Sequence, residues 1–212
     1  MGNRAVITTK ENFLENGVGV YLHWNGGRDS VEAFLKYCEL RGFRAPTTQS
    51  YGWARFAQVV ANFFGGDGLS IGIDVVDNLD CDNGDNGVYF IDGWEIVGRK
   101  YHSGEEQQEY DLNEMLIAID KAQPEDQQLG EYILVKEIPV TDLKVGDIVY
   151  ILNWRHQIQE VEILGFGDGK TVNGNDVTGL PYADIVGGTL GKDNINNYIR
   201  AKTVKLKSRK SE

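Results

Sequence analysis

Val18-Gly19-Val20-Tyr21-Leu22-His23-Trp24, then Asn25-Gly26-Gly27-Arg28-Asp29-Ser30, then Val31, Phe34, Leu35 and Cys38 at helical spacing, set the plan of the N-terminal half. The first seven residues are apolar or aromatic almost throughout, as in a strand buried on at least one face. Asn25-Gly26-Gly27 interrupts them, and Asp29 with Glu32 three positions on reads as a capping box opening a helix that Gly42 stops.

Upstream, Ala5 to Thr9 is a further extended segment. Downstream, Trp53, Phe56, Ala57, Val60 and Phe64 recur at three- and four-residue steps and predict a second helix over Ser50 to Phe64. Three β runs follow, Leu69 to Val76, Gly87 to Ile91 and Trp94 to Arg99, with the two-residue hairpin signal Asp92-Gly93 between the last two. Their economical arrangement is a three-stranded antiparallel meander. Residues 1–102 are thus expected as an α+β domain, a mixed or antiparallel sheet with two helices on one face.

Composition changes over Ser103 to Glu131, where nine acidic residues meet the single Lys121. Asp111 and Glu114 repeat the capping box, and Leu112, Met115, Leu116 and Ile119 form one apolar stripe, predicting an amphipathic helix in an acidic connector over 103–130. Beyond it, Ile133 to Val140, Asp147 to Asn153, Gln159 to Leu164 and Ile199 to Leu206 read as strands, with turns at Val145-Gly146-Asp147 and Gly167-Asp168-Gly169. Residues 131–212 are expected as a small β-barrel. The run Asp142 to Tyr150, a Gly-Asp turn before a buried strand, looks like the opening of SH3-like barrels.

The chain has 21 Lys plus Arg against 32 Asp plus Glu, a net charge of −11 over 212 residues. General binding to a nucleic-acid backbone is not expected of it. The basic exception is Arg200, Lys202, Lys205, Lys207, Arg209 and Lys210, read as an exposed strand edge decorated with Lys and as the one place open to phosphate. Two cysteines, Cys38 and Cys81, suit a reducing compartment and make neither a disulfide framework nor a zinc site. With no apolar leader and no run of about 18 apolar residues, the expected location is the cytoplasm, with no membrane partner. Most of the 26 glycines are expected in hairpin turns.

Strand, glycine turn and helix start are also the physical recipe for holding phosphate, because backbone N–H groups and the helix dipole face the anion. Asn25, Gly26, Gly27, Arg28, Asp29 and Ser30 are the candidate ligand residues on that reading. The plain alternative makes Gly26-Gly27 a tight turn, Asp29 a cap and Arg28 a solvated side chain. A second candidate is the stretch Asp74 to Glu95, with seven acidic side chains and no Lys or Arg. Asp80-x-Asp82-x-Gly84-Asp85 begins like a calcium loop, but Gly84 stands at the third ligand position and Asp85 where the loop glycine belongs. No metal and no cofactor are expected. Asp77, Asp80, Asp82 and Asp85 remain a candidate partner surface. His23, His102 and His156 are scattered, and Cys38 lies on an apolar helix face where a thiol is inert. No nucleophile with its base is apparent.

Two resemblances add to this. Gly26-Gly27-Arg28-Asp29-Ser30 resembles the Ser-Gly-Gly-x-Asp-Ser pyrophosphate loop of N-type ATP pyrophosphatases, with Asn25 where that family has Ser; it implies a nucleotide-binding enzyme. Met1 to Thr8, Tyr21 to Leu35 and Tyr51 to Arg55 look like an uncharacterised family of small proteins in bacteriophages, prophages and other mobile elements. That implies a non-enzymatic accessory protein that binds a host protein or a small nucleotide signal, a counter-defence role among them. The third reading is a protein-interaction module in the C-terminal barrel.

Overall fold

The structure, a computed structural model, describes residues 2–46, 50–65, 70–153, 155–170, 175–185, 199 and 201–209. The chain divides into two units, Met1–Ile133 and Leu134–Glu212. In the first, the elements run β1 (Ala5–Thr8), α1 (Lys10–Leu14), β2 (Val18–Leu22), α2 (Arg28–Leu40), α3 (Ser50–Phe64), β3 (Ile71–Val75), β4 (Val88–Asp92), β5 (Glu95–Lys100) and α4 (Leu112–Lys121). The expected α+β class holds.

The five strands form one sheet in the order β3-β2-β1-β4-β5, with β1 and β4 parallel and the other neighbours antiparallel. All four residues of β1 are fully buried. On one face α2 and α3 pack on the sheet and on each other, burying Phe34, Leu35, Phe56 and Val60. On the other, Phe13 of α1 meets Phe90 edge-on at 5.2 Å, and Leu79 and Val76 close over Gly19 beside Val6. A strand covered on both sides has no polar face, hence the uninterrupted apolar run Ala5-Val6-Ile7.

The expected meander is corrected by this order. Only β4 and β5 form the hairpin that Asp92-Gly93 encodes; β3 pairs with β2 on the far side of the sheet and β4 enters beside β1. A two-residue turn forces its strands together, whereas the segment 76–87 is long enough to cross the sheet and insert elsewhere.

Helix termini carry two further corrections and one agreement. Gly27, not Asp29, occupies the N-cap of α2, so Asp29 falls in the first turn and Glu32 pairs with Arg28 instead of closing a capping box. At the other end Gly42 (φ 65°) donates to Glu39 O and Phe43 N–H to Cys38 O, a Schellman stop where one was expected. The short α1 was not anticipated; its start is the Thr9 hydroxyl, which accepts from Asn12 N–H at 3.0 Å.

The 103–130 segment does more than connect. Its helix α4 packs on α2 and α3 within the first unit and buries Met115, Leu116 and Ile119. At its N-terminus Asp111 accepts from Asn113 and Glu114 N–H, as its spacing predicts. Asp120, 5% exposed, is the polar centre of this contact. It accepts from the Tyr37 hydroxyl at 2.7 Å and from the N–H groups of Leu129 and Gly130 at 2.6 and 2.9 Å. Burial, then the bond to Asp120, pushes the Tyr37 hydroxyl well above its ordinary value.

In the second unit β6 (Glu137–Pro139), β7 (Ile148–Leu152), β8 (Ile158–Phe166), β9 (Pro181–Ile185) and β10 (Thr203–Ser208) form one antiparallel sheet in the order β6-β10-β7-β8-β9. Val149, Val161, Ile163 and Val204 are the centre of its core. The expected strand at 133–140 shrinks to β6, and β9 lies where none was expected. The basic strand is not an edge: β10 lies between β6 and β7. Lys205 is 5% exposed and donates to Val135 O, Lys207 pairs with Glu160, and Arg209 grips Asp147 with Nε and Nη2. Alternation in sequence reports two faces but not what lies alongside. Arg200 and Lys210 lie outside the described residues, as does Trp154.

Asp120→Ala leaves the Tyr37 hydroxyl and two N–H groups buried without their acceptor and is expected to lower stability by about 2–4 kcal/mol. Urea denaturation measures this; a loss no larger than that of an exposed substitution such as Asp126→Ala would show α4 to be peripheral to the core.

Candidate functional site

The acidic stretch folds as a braced loop on the sheet face opposite α2 and α3. Val76 N–H donates to Gly17 O and Asp77 N–H to the Asn16 side chain, anchoring one end. The buried Asn83 ties the middle, its amide donating to Asp80 O and Gly87 O while its carbonyl accepts from Asp85 and Gly87 N–H. With these internal bonds made, Asp77, Asp80 and Asp82 are left exposed on the outside.

Asp85 departs from the expected partner surface. Its side chain, 13% exposed, accepts from Arg4 Nε at 2.7 Å and from Arg4 N–H, linking the loop to the start of β1. The hydrogen bond from Arg4 holds the Asp85 carboxyl below the usual carboxylate range. Asp85 is therefore a brace, while Asp77, Asp80 and Asp82 stay on the surface.

Those three carboxylates line an open groove of about 630 Å³ together with Phe13, Val76, Leu79, Cys81 and Tyr101. Lys100 Nζ sits 4.6 Å from the Phe13 ring centre and 4.5 Å from that of Tyr101, so the aromatic pair already holds an ammonium group. Burial, then the charges of Asp80 and Asp77, raises the Cys81 thiol above its ordinary value and keeps it protonated. Among the described residues no three His, Cys, Asp or Glu side chains converge to hold a metal ion. Carboxylates beside aromatic rings suit a cation of organic type, a Lys or Arg side chain.

The glycine loop carries one charge of each sign, Arg28 and Asp29. Gly26 packs against the start of β1: a Cβ there would stand 2.6 Å from both Ala5 N and Asn3 O. A Cβ on Gly27 would stand 2.8 Å from Gln107 O, because residues 103–110 run across the N-terminus of α2. Asn25 donates to the buried Ser30 hydroxyl at 3.3 Å. Asp29 accepts from Ser30, Glu109 and Tyr110 N–H. Of the six loop residues, Arg28 alone presents a cationic group; its Nη1 donates to Glu106 at 2.9 Å and its Nε to Glu32 at 2.7 Å.

Glu106 reaches a second arginine, Arg99 of β5, with Nη1 at 3.9 Å. Arg99 also donates to Asn86 and lies 5.3 Å over the ring of Tyr89. Tyr89 is fully buried and, among the described residues, its hydroxyl has no hydrogen-bond partner. Burial pushes that hydroxyl up to about 12, so it remains a neutral O–H donor at ordinary pH.

Sequence reading places the two regions but not Phe13, Tyr101, Tyr89, Arg99 or Glu106, which the sheet order brings to them from distant segments. His23 is half-buried, with Nδ1 3.3 Å from the Tyr21 hydroxyl and its ring edge-on to the exposed Trp24. Cys38 is fully buried, and burial raises its thiol. No protein-family model, curated protein or solved structure matches the chain. Among the described residues no helix is long and apolar enough to cross a membrane.

Gly26→Ala is expected to cost about 1–3 kcal/mol, since it meets rigid strand backbone, and Gly27→Ala less, since the Gln107 segment can give way. Equal losses in urea denaturation would show that segment to be as fixed as β1. A carboxylate whose pKa is depressed by folding stabilises above its unfolded value and loses that contribution as pH falls through the folded one. Asp85→Asn is therefore expected to flatten the acid limb of the stability curve below about pH 4, as read by urea midpoints across pH.

Proposed function

We propose that this chain is a non-enzymatic binding protein of a phage or other mobile element, working in the host cytoplasm, and that its acidic–aromatic groove holds a Lys- or Arg-bearing segment of a host protein. The observation that carries this is the placement of Asp77, Asp80 and Asp82 around an aromatic pair, Phe13 and Tyr101, that already accepts the Lys100 ammonium. An incoming cation displaces Lys100 or sits beside it, gaining carboxylate pairing and an aromatic face together. The net charge of −11 steers such a partner inward, so association is fast at low salt and weakens as salt screens it. The likeness of residues 1–8, 21–35 and 51–55 to mobile-element proteins supports a counter-defence role, occupying a surface of a host defence protein. We read the five-stranded sheet of Leu134–Glu212 as an SH3-like barrel, as its Gly146-Asp147 turn suggests.

The test is capture of host proteins by the full chain at low and high salt, with mass spectrometry of what is retained. Asp80→Lys with Asp82→Lys is expected to reduce capture about tenfold while leaving thermal unfolding unchanged. Capture that persists in this variant and is insensitive to salt removes the groove from the function.

A further inference from the structure

The first unit carries a second site, built on two arginines, that the groove does not use. At the N-terminus of α2, Arg28 and Arg99 both face the Glu106 carboxylate, Nη1 to Oε1 2.9 Å from the first and 3.9 Å from the second. Arg99 also lies 5.3 Å over the ring of Tyr89, which sets that buried side chain at the same corner, and among the described residues its hydroxyl has no hydrogen-bond partner.

Glu106 satisfies the corner poorly. Arg28 is paired with Glu32 as well as Glu106, and Arg99 with Asn86, but Glu106 holds Arg99 only at 3.9 Å and, among the described residues, the buried Tyr89 O–H is left without an acceptor, an arrangement native proteins rarely keep. A phosphate monoester carries up to two negative charges and three terminal oxygens, enough for both arginines and the phenol at once. The residue that supplies the carboxylate lies on a removable segment. Residues 103–110 contain no helix or strand and are exposed except for Glu106 and Gln107. They are held by Ser103 at Gly84 and Asp85, by Asn86 at Gln107, by Arg28 at Glu106 and by Asp29 at Glu109 and Tyr110. Such a strap opens locally at far less cost than the sheet beneath it.

We infer that Arg28, Arg99 and the Tyr89 hydroxyl form a binding site for a phosphate monoester, which the chain's own Glu106 occupies when the 103–110 strap is closed. Ligand binding and strap opening are then one equilibrium, and the closed strap lowers the apparent affinity by the fraction of molecules in which it is open. Gly26 and Gly27 serve the site by letting β1 and the strap approach the helix start.

Inorganic phosphate and adenosine monophosphate are the probes, with sodium chloride at matched ionic strength as control. Isothermal titration of the full chain is expected to show Glu106→Gln binding phosphate about tenfold more tightly than the unchanged protein, and Arg28→Gln or Tyr89→Phe in that background losing the gain. Native circular dichroism with no gain from Glu106→Gln overturns the proposal. Should Glu106→Gln not fold, the unchanged protein decides. A glutamyl endopeptidase cutting after Glu105, Glu106 or Glu109 is expected to act faster in millimolar phosphate than in the chloride control. An unchanged rate with both probes overturns the site. Action by the nucleotide at lower concentration than phosphate assigns a nucleotide, and equal action assigns free phosphate.

Discussion

Burial of β1 on both faces organises the first unit. Ala5, Val6, Ile7 and Thr8 are fully buried, so both sides of the central strand must be covered. The helix side is covered by α2 and α3, whose large aromatic residues supply the bulk. Among the described residues the opposite side has no long helix and is closed by Phe13 of the short α1 and by the segment after β3, with Val76 and Leu79 turned inward. A loop that seals a core with its apolar residues must turn its polar ones outward. The exposed carboxylates of Asp77, Asp80 and Asp82 beside Phe13 and Tyr101 follow from that requirement.

The same strand shapes the α2 corner. Gly26 lies against the backbone of Asn3 to Ala5, and α2 therefore begins beside the start of β1. β4 and β5 lie on the other side of β1 and bring Tyr89 and Arg99 to the corner. One sheet thus carries a groove suited to cations on one face and a two-arginine corner at the helix start, each already occupied by a residue of the chain, Lys100 in the groove and Glu106 at the corner.

Much of the fold is legible in the residues because it is local. Asp111 caps α4, Gly42 ends α2, and Asp92-Gly93 makes the β4–β5 hairpin, since each depends on a few neighbours and on backbone geometry. The misreadings are of another kind. Asp29 looks like a cap, yet its carboxylate is drawn to Glu109 and Tyr110, eighty residues away in sequence. Asp85 looks like its acidic neighbours, yet Arg4 turns it into a brace. The Lys-rich β10 looks like an edge, yet it is flanked by β6 and β7.

From its sequence alone the protein is an acidic α+β chain with a glycine turn before its first long helix and a carboxylate-rich loop near residue 80. These follow from composition, period and turn chemistry, which act within a few residues. The tertiary structure decided which carboxylates stay on the surface, which arginines share an anion, and that Tyr89 and Phe13 belong to these places. Such pairings join residues far apart in the chain, and the insertion of β4 beside β1 is what brings Tyr89 and Arg99 to one corner.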